Sequence, residues 1–254
     1  MAITIKSERE IELMAEAVRY LKRVHNELEK ALRPGMSTKD IDTLGEEIIR
    51  SYGCIPSFLN YNGYPASICV SVNQEVVHGI PDKHRIIQEG DIVSLDAGVI
   101  YKGYHSDAAR THAVGEVSEE AKKLIQVTKE SFFEGIKFAK AGNHLFDISG
   151  AIGRYAEERG YGVVRDLCGH GIGTALHEAP EIPNYEVGRK GVRLRPGMTL
   201  AIEPMINIGT HEVDWLDDDW TVVTRDGSLS AHYENTILIT EGEPRILSLT
   251  CENE

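Results

Sequence analysis

The apolar positions of the chain change period along its length, and each change marks an element. Ile11, Met14, Val18, Leu21, Leu28 and Leu32 recur at the three-and-four spacing of one helix face. Ser7 to Glu10 ahead of them forms an S-x-x-E capping box, and Pro34–Gly35 ends the run. A second helix is expected from near Ser37 to Gly53, with Ile41, Leu44 and Ile48 on its apolar face. Two more are expected from about Ser118 to Ala139 and from about Leu145 to Arg159, the last closed by Gly160. Alternation or unbroken apolar runs replace the helical period at roughly 67–72, 91–100, 104–114, 198–203 and 230–240, so these segments read as strands.

The pattern repeats. A shift of 107 residues carries Gly35 onto Gly142, Asp40 onto Asp147, Ile41 onto Ile148, Gly53 onto Gly160 and Gly90 onto Gly197. The same shift carries Asp96 onto Glu203, each an acid ending a strand. The chain therefore reads as an α/β (α+β) domain spanning 1–254, made of pseudo-two-fold halves at about 1–115 and 116–254. One acid from each half is expected at the centre.

Composition narrows the class. Apolar residues at 41% and charged residues at 26%, with no low-complexity segment, describe an ordinary globular chain. A net charge of -13 repels phosphate backbones and argues against nucleic acid as a partner. No apolar run reaches membrane-spanning length, and the N-terminal segment turns charged by Lys6 without a signal core. Cys54, Cys69, Cys168 and Cys251 form no CxxC pair, which reads as reduced thiols in a cytoplasmic protein.

The acids carry the candidate chemistry. In GDIVSLDAGVIYKGYHSDAART a turn at Tyr101–Lys102–Gly103 joins two strands. With Tyr101–Lys102 as the loop, Ile100 pairs with Gly103 and Asp96 faces Asp107 directly. Two such acids share a proton, hold a cation, or stand exposed beside Arg or Lys. Glu203 ends the apolar strand of MTLAIEP, and AHYENTILI sets His232 and Glu234 on one face. His170 and His177 lie in the glycine-rich CGHGIGTALHEAP, and His78 precedes a Gly-Ile-Pro turn. His25, His84, His105, His112, His144, His211 and His232 read as surface or structural residues.

Taken together, NGYPASICVSVNQEVVHGIP, GDIVSLDAGVIYKGYHSDAARTHAVG, CGHGIGTALHEAP, GMTLAIEPM and SAHYENTILIT resemble the type I methionine aminopeptidases, in the order of that family. The resemblance spans essentially the whole chain. It implies the pita-bread fold, two related halves around a central antiparallel sheet. It implies five metal ligands, Asp96, Asp107, His170, Glu203 and Glu234, holding two divalent cations. Asp107 and Glu234 bridge both ions in that family, and four carboxylates with one imidazole suit Mn, Fe or Co. The implied reaction removes the N-terminal methionine, before a small second residue, by attack of a metal-bridging hydroxide. Glu203 would shuttle the proton, His177 would stabilise the oxyanion and His78 would bond the scissile amide.

Phe58, Tyr61, Tyr64, Cys69, Leu176 and Trp220 match the family's methionine pocket. Relatives carry Cys, His and Phe where this chain has Phe58, Asn62 and Leu176, which bears on fine specificity. Nascent N-termini are the implied partners, with at most transient ribosome contact, no nucleic acid, no membrane, and a monomer. An Xaa-Pro aminopeptidase would carry a large N-terminal domain, whereas here the first helix starts near residue 7. A non-catalytic relative would have lost ligands, and all five are kept.

Overall fold

A computed structural model describes residues 2–249, so Cys251 lies outside the described residues. Four helices follow the expected pattern: α1 (Glu8–Ala31), α2 (Thr38–Ser51), α3 (Glu119–Ile136) and α4 (Leu145–Glu157). The strands are β1 (Ile55–Pro56), β2 (Ile68–Val72), β3 (Glu75–Val77), β4 (Ile92–Tyr101), β5 (Tyr104–Ala113), β6 (Gly162–Val163), β7 (Gly169–Gly171) and β8 (Glu178–Ile182). They continue as β9 (Thr199–Ile202), β10 (Met205–Asn207), β11 (Val213–Trp215), β12 (Val222–Thr224), β13 (Ser230–His232), β14 (Asn235–Leu238) and β15 (Arg245–Ile246).

Helix α1 starts where the sequence places it. The Ser7 hydroxyl accepts from the Glu10 N–H, and the Glu10 carboxylate accepts from the Ser7 N–H. Its apolar stripe then buries Met14, Val18, Leu21 and Leu28. Leu21 and Leu28 join Ile41 of α2 and Val93, Leu95 and Ala97 of β4 in one core. A second core unites Phe132 of α3, Ile148 and Ile152 of α4, and Leu200, Ile202 and Ile237. Each such side chain contributes roughly 1.5–3 kcal/mol on leaving water, so burial rather than capping holds the helices down.

The strand pairings among the described residues are antiparallel. One sheet runs β1-β4-β2 with β5 on β4, and a second runs β15-β14-β9-β7-β8. They meet where β5 lies beside β13 and β14. The Thr236 hydroxyl donates to the Asp107 carbonyl at 2.8 Å, and the Glu234 N–H donates to the Ala109 carbonyl at 2.9 Å. The expected strand 230–240 is broken there: the Tyr233 N–H turns to Pro204 and that of Glu234 to β5. That break aims Glu234 at the seam between the halves. Apart from β13, which lies within the expected 230–240, the two- and three-residue strands left no readable period and were not expected.

Candidate metal centre and apolar pocket

The hairpin β4–β5 differs from its expected register. Its turn residues are Lys102 and Gly103, with Tyr101 paired to Tyr104. Both turn residues have positive φ, 49° and 84°, which suits Lys-Gly better than a bulky Tyr. Asp96 therefore pairs with Ala109, and Asp107 with Gly98. The two acids sit diagonally on one face instead of directly opposed, still within side-chain reach. Asp96 also pairs with Cys69 on β2, which brings that thiol to the same face.

His170 occupies the middle of β7 between two glycines. A Cβ at Gly169 would stand 2.4 Å from the Ala201 carbonyl, and one at Gly171 would stand 2.2 Å from that of Ala179. Only glycine lets β7 squeeze between β8 and β9. The His170 Nδ1–H donates to the Gly171 carbonyl at 2.9 Å, which leaves Nε2 as the free lone pair. Nε2 lies 3.6 Å from Glu203 Oε1 and 3.8 Å from Asp107 Oδ2. Asp107, His170 and Glu234 each offer one ligand atom within 4.8 Å of the others.

These acids are buried, against the reading of exposed strand carboxylates: Asp107 is 4% exposed and Glu234 2%. Asp96 Oδ1, Asp107 Oδ1 and Glu234 Oε1 have no hydrogen-bond partner. Arg110 is the nearby cation, yet its guanidinium donates to the carbonyls of Ala109, Glu234 and Ser248 and to Asn235 Oδ1. It serves the backbone and leaves the carboxylates unpaired. Burial accordingly raises Asp96 to about 7 and Glu203 to about 8. Burial first, then the neighbouring acids, pushes Asp107 and Glu234 well above the carboxylate range. Burial likewise lowers His170 to about 3, keeping its ring neutral. Buried acids with idle oxygens and a neutral imidazole lone pair fit divalent cations.

Beside this cluster lies a cavity of about 120 Å³. Its walls are Phe58, Tyr61, Asn62, Tyr64, Cys69, Leu176 and Trp220, with His78 and His177 at the rim. Asp96, Asp107, His170, Glu203 and Glu234 line the same cavity. The structure thus brings every candidate site residue of the sequence to one place. The Tyr61 hydroxyl bonds His177 Nδ1 at 3.0 Å, while Tyr64 packs edge-on against Trp220 at 5.1 Å. His78 has a φ of 60°, in the left-handed region that non-glycine residues adopt infrequently. Burial lowers its ring to about 4, so it is neutral near pH 7. One residue near the acids escaped the sequence: His232 is 2% exposed, with Nε2 3.6 Å from Glu203 Oε2. Its place two residues before Glu234 was the available signal.

Residues 12–241 match the profile of metallopeptidase family M24. The chain belongs to that family. Its relatives within M24 include methionine aminopeptidases. The methionine aminopeptidase of Clostridium acetobutylicum is 57% identical over 250 residues, covering 98% of this chain and 100% of that protein. The crystal structure of the Thermotoga maritima methionine aminopeptidase superposes with a TM-score of 0.95 at 47% identity, covering 97% of this chain and 99% of that one. An Xaa-Pro dipeptidase from Bacillus anthracis reaches a TM-score of 0.79 at 27% identity, covering 98% of this chain but 63% of that chain. This M24 chain has the pita-bread fold. As an M24 metallopeptidase it is a metal-dependent hydrolase, and the Asp107–His170–Glu234 group is a candidate donor set for a metal ion.

Proposed function

We propose that this chain, as one catalytic unit over residues 1–254, removes the N-terminal methionine from polypeptides whose second residue is small. One observation carries the reading: a pocket walled largely by aromatic side chains is continuous with the buried carboxylate–imidazole cluster. Its volume, about 120 Å³, is far below the roughly 300–1,000 Å³ of a drug-sized site. It suits a single unbranched apolar side chain. Phe58, Tyr61, Tyr64, Cys69, Leu176 and Trp220 would enclose that side chain.

Asp96, Asp107, His170, Glu203 and Glu234 would hold two divalent cations, of Mn, Fe or Co. Such ions supply Lewis acidity and bring the pKa of a ligated water near neutrality. The chain's own groups do the rest. Glu203 would accept the proton of the attacking water on its carboxylate and return it to the leaving nitrogen. His177, whose Nδ1 is engaged by Tyr61, presents Nε2 to the developing oxyanion. Neutral His78 would bond the scissile amide. The proposed setting is the cytoplasm, where a monomer would meet nascent N-termini with at most transient ribosome contact. Among the described residues no helix is long and apolar enough to cross a membrane.

Purified protein, stripped and reloaded with Mn(II), Fe(II) or Co(II), should release methionine from a Met-Ala-Ser peptide. Asp107→Asn and Glu234→Gln should each lower kcat/KM by about 100-fold or more, beyond what losing an outer partner costs. Cleavage of Xaa-Pro peptides but not Met-Ala-Ser, or of neither, sinks the reading.

A further inference from the structure

His232 is a buried imidazole with nothing to satisfy it. It ends β13 opposite Met205, two residues beyond Glu203 across Pro204. Its backbone is clamped on both sides by one hydroxyl. The His232 N–H donates to Thr111 Oγ1 at 2.8 Å, and the His232 carbonyl accepts from the same oxygen at 3.0 Å. The ring is therefore held in place from behind. Yet neither Nδ1 nor Nε2 has a hydrogen-bond partner, although the residue is 2% exposed. A purely structural buried histidine would have its nitrogens engaged.

The carboxylate beside it is Glu203. Its two oxygens are divided between two imidazoles: Oε1 lies 3.6 Å from His170 Nε2, and Oε2 lies 3.6 Å from His232 Nε2. Asn184 Nδ2 donates to the Glu203 carbonyl at 3.1 Å, which fixes the main chain but leaves the carboxylate free to rotate. His232 is not among the residues that line the pocket, whereas Glu203 is. Outer partners of this kind orient a ligating carboxylate, and their contacts tighten when the site is loaded.

We propose that His232 is a positioning residue, whose Nε2–H donates to Glu203 Oε2 and so turns Oε1 toward the cation beside His170. This rests on the reading of Glu203 as a ligand. It predicts that the ring acts through hydrogen bonding, not bulk.

The test compares His232→Phe, which keeps the ring's shape, with His232→Gln, which keeps a donor. Mn(II) alone is titrated into the stripped full-length proteins, and the visible absorption of the Co(II) forms is recorded. His232→Phe should weaken Mn(II) binding by about 10- to 100-fold and alter the Co(II) bands, while His232→Gln stays within about threefold of wild type. The Tm of stripped His232→Phe should not fall, since phenyl removes two unsatisfied nitrogens. Wild-type Mn(II) affinity in His232→Phe overturns the proposal, as does a loss of stripped-state Tm that accounts for the weakened binding. A change confined to KM that varies with the peptide's second residue would place His232 against substrate and overturn it equally. Mn(II) binding that weakens in His232→Phe as expected, in a wild-type protein that releases no methionine, refutes the proposed activity and leaves the positioning role standing.

Discussion

In the first half of the molecule the Gly35 N–H donates to the Ile87 carbonyl, and the Ile87 N–H donates to that of Met36. In the second half, 107 residues on, the Gly142 N–H donates to Leu194 and the Leu194 N–H to Asn143. Ser37 bridges Ile86 as His144 bridges Arg193, again at the same offset. The backbone frames are copies. The packing inside them is not. In the first half Gly45 of α2 faces Leu28 of α1 and Ile68 of β2, where an added Cβ would lie 3.6 Å from Leu28 Cδ1 and 2.5 Å from Ile68 Cγ1. The equivalent pair in the second half is Gly135 of α3 and Ile152 of α4, and a Cβ on Gly135 would stand 2.5 Å from Ile152 Cγ1. Each helix crossing takes one large and one small residue, but opposite helices supply them. What the halves preserve is the summed volume at the crossing, as close packing demands.

Exchanging the pair in the second half tests that directly. Ile152→Gly should destabilise by about 3–6 kcal/mol, the sum of a cavity and a glycine within a helix. Gly135→Leu should cost about 1–3 kcal/mol by overpacking against Ile152 and Ile148. The double exchange recreates the arrangement of the first half, and urea unfolding should find it less damaged than the sum by about 0.5–3 kcal/mol. Strict additivity would show that the crossings are unrelated solutions.

At the centre the halves contribute unequally to one object. Asp96 and Asp107 come from the first, and His170, Glu203 and Glu234 from the second. Stripped of cations, these acids stabilise the fold only while protonated, because their folded-state pKa values are raised, to about 7 for Asp96 and about 8 for Glu203. A raised value gives a contribution complete below the unfolded pKa and lost as pH rises through the folded one. Buried histidines such as His25, lowered to about 3, act in the opposite sense but only below their ordinary 6.5. The window above about pH 6.5 therefore belongs to the acids. The Tm of stripped protein should fall between about pH 6.5 and 8.5, while that of loaded protein holds. Cation at about a thousand times its Kd should add about 4 kcal/mol, or roughly 8–16 °C for a chain of this size. A gap between the two forms that does not widen with pH would mean the acids do not face a common cation.

How much of this was legible follows from length and period. The four helices and the strands bearing Asp96, Asp107 and Glu203 carry long repeats of apolar positions, and they lie within a few residues of where the sequence places them. The 107-residue offset was visible because turns demand glycine with positive φ, at Gly35, Gly142, Gly90 and Gly197 alike. The hairpin register was misread by one turn position, since Tyr101 and Gly103 bracket the same lysine and only φ decides between them. β7 is three residues long and has no period at all, so His170 could be placed by resemblance but not by pattern. His232 went unread because burial, not residue type, makes it notable.

The smallest difference between the frames lies at the starts of α2 and α4. In the first half the box is reciprocal: Ser37 Oγ accepts from the Asp40 N–H at 3.1 Å, and the Asp40 carboxylate accepts from the Ser37 N–H at 2.8 Å. In the second half the Asp147 carboxylate accepts from the His144 N–H at 2.8 Å, and His144 stands where the serine would be. Imidazole is a poorer cap than a hydroxyl, which reaches the N–H three residues on from a short, stiff side chain. His144→Ser should therefore complete the second box and stabilise the protein by about 1 kcal/mol, some 2–4 °C in Tm. Ser37→His should cost a similar amount. If His144→Ser instead lowers the urea midpoint, the imidazole's packing beside Asp147 outweighs the missing hydrogen bond. The two frames would then be tuned to different local solutions even where their backbones coincide.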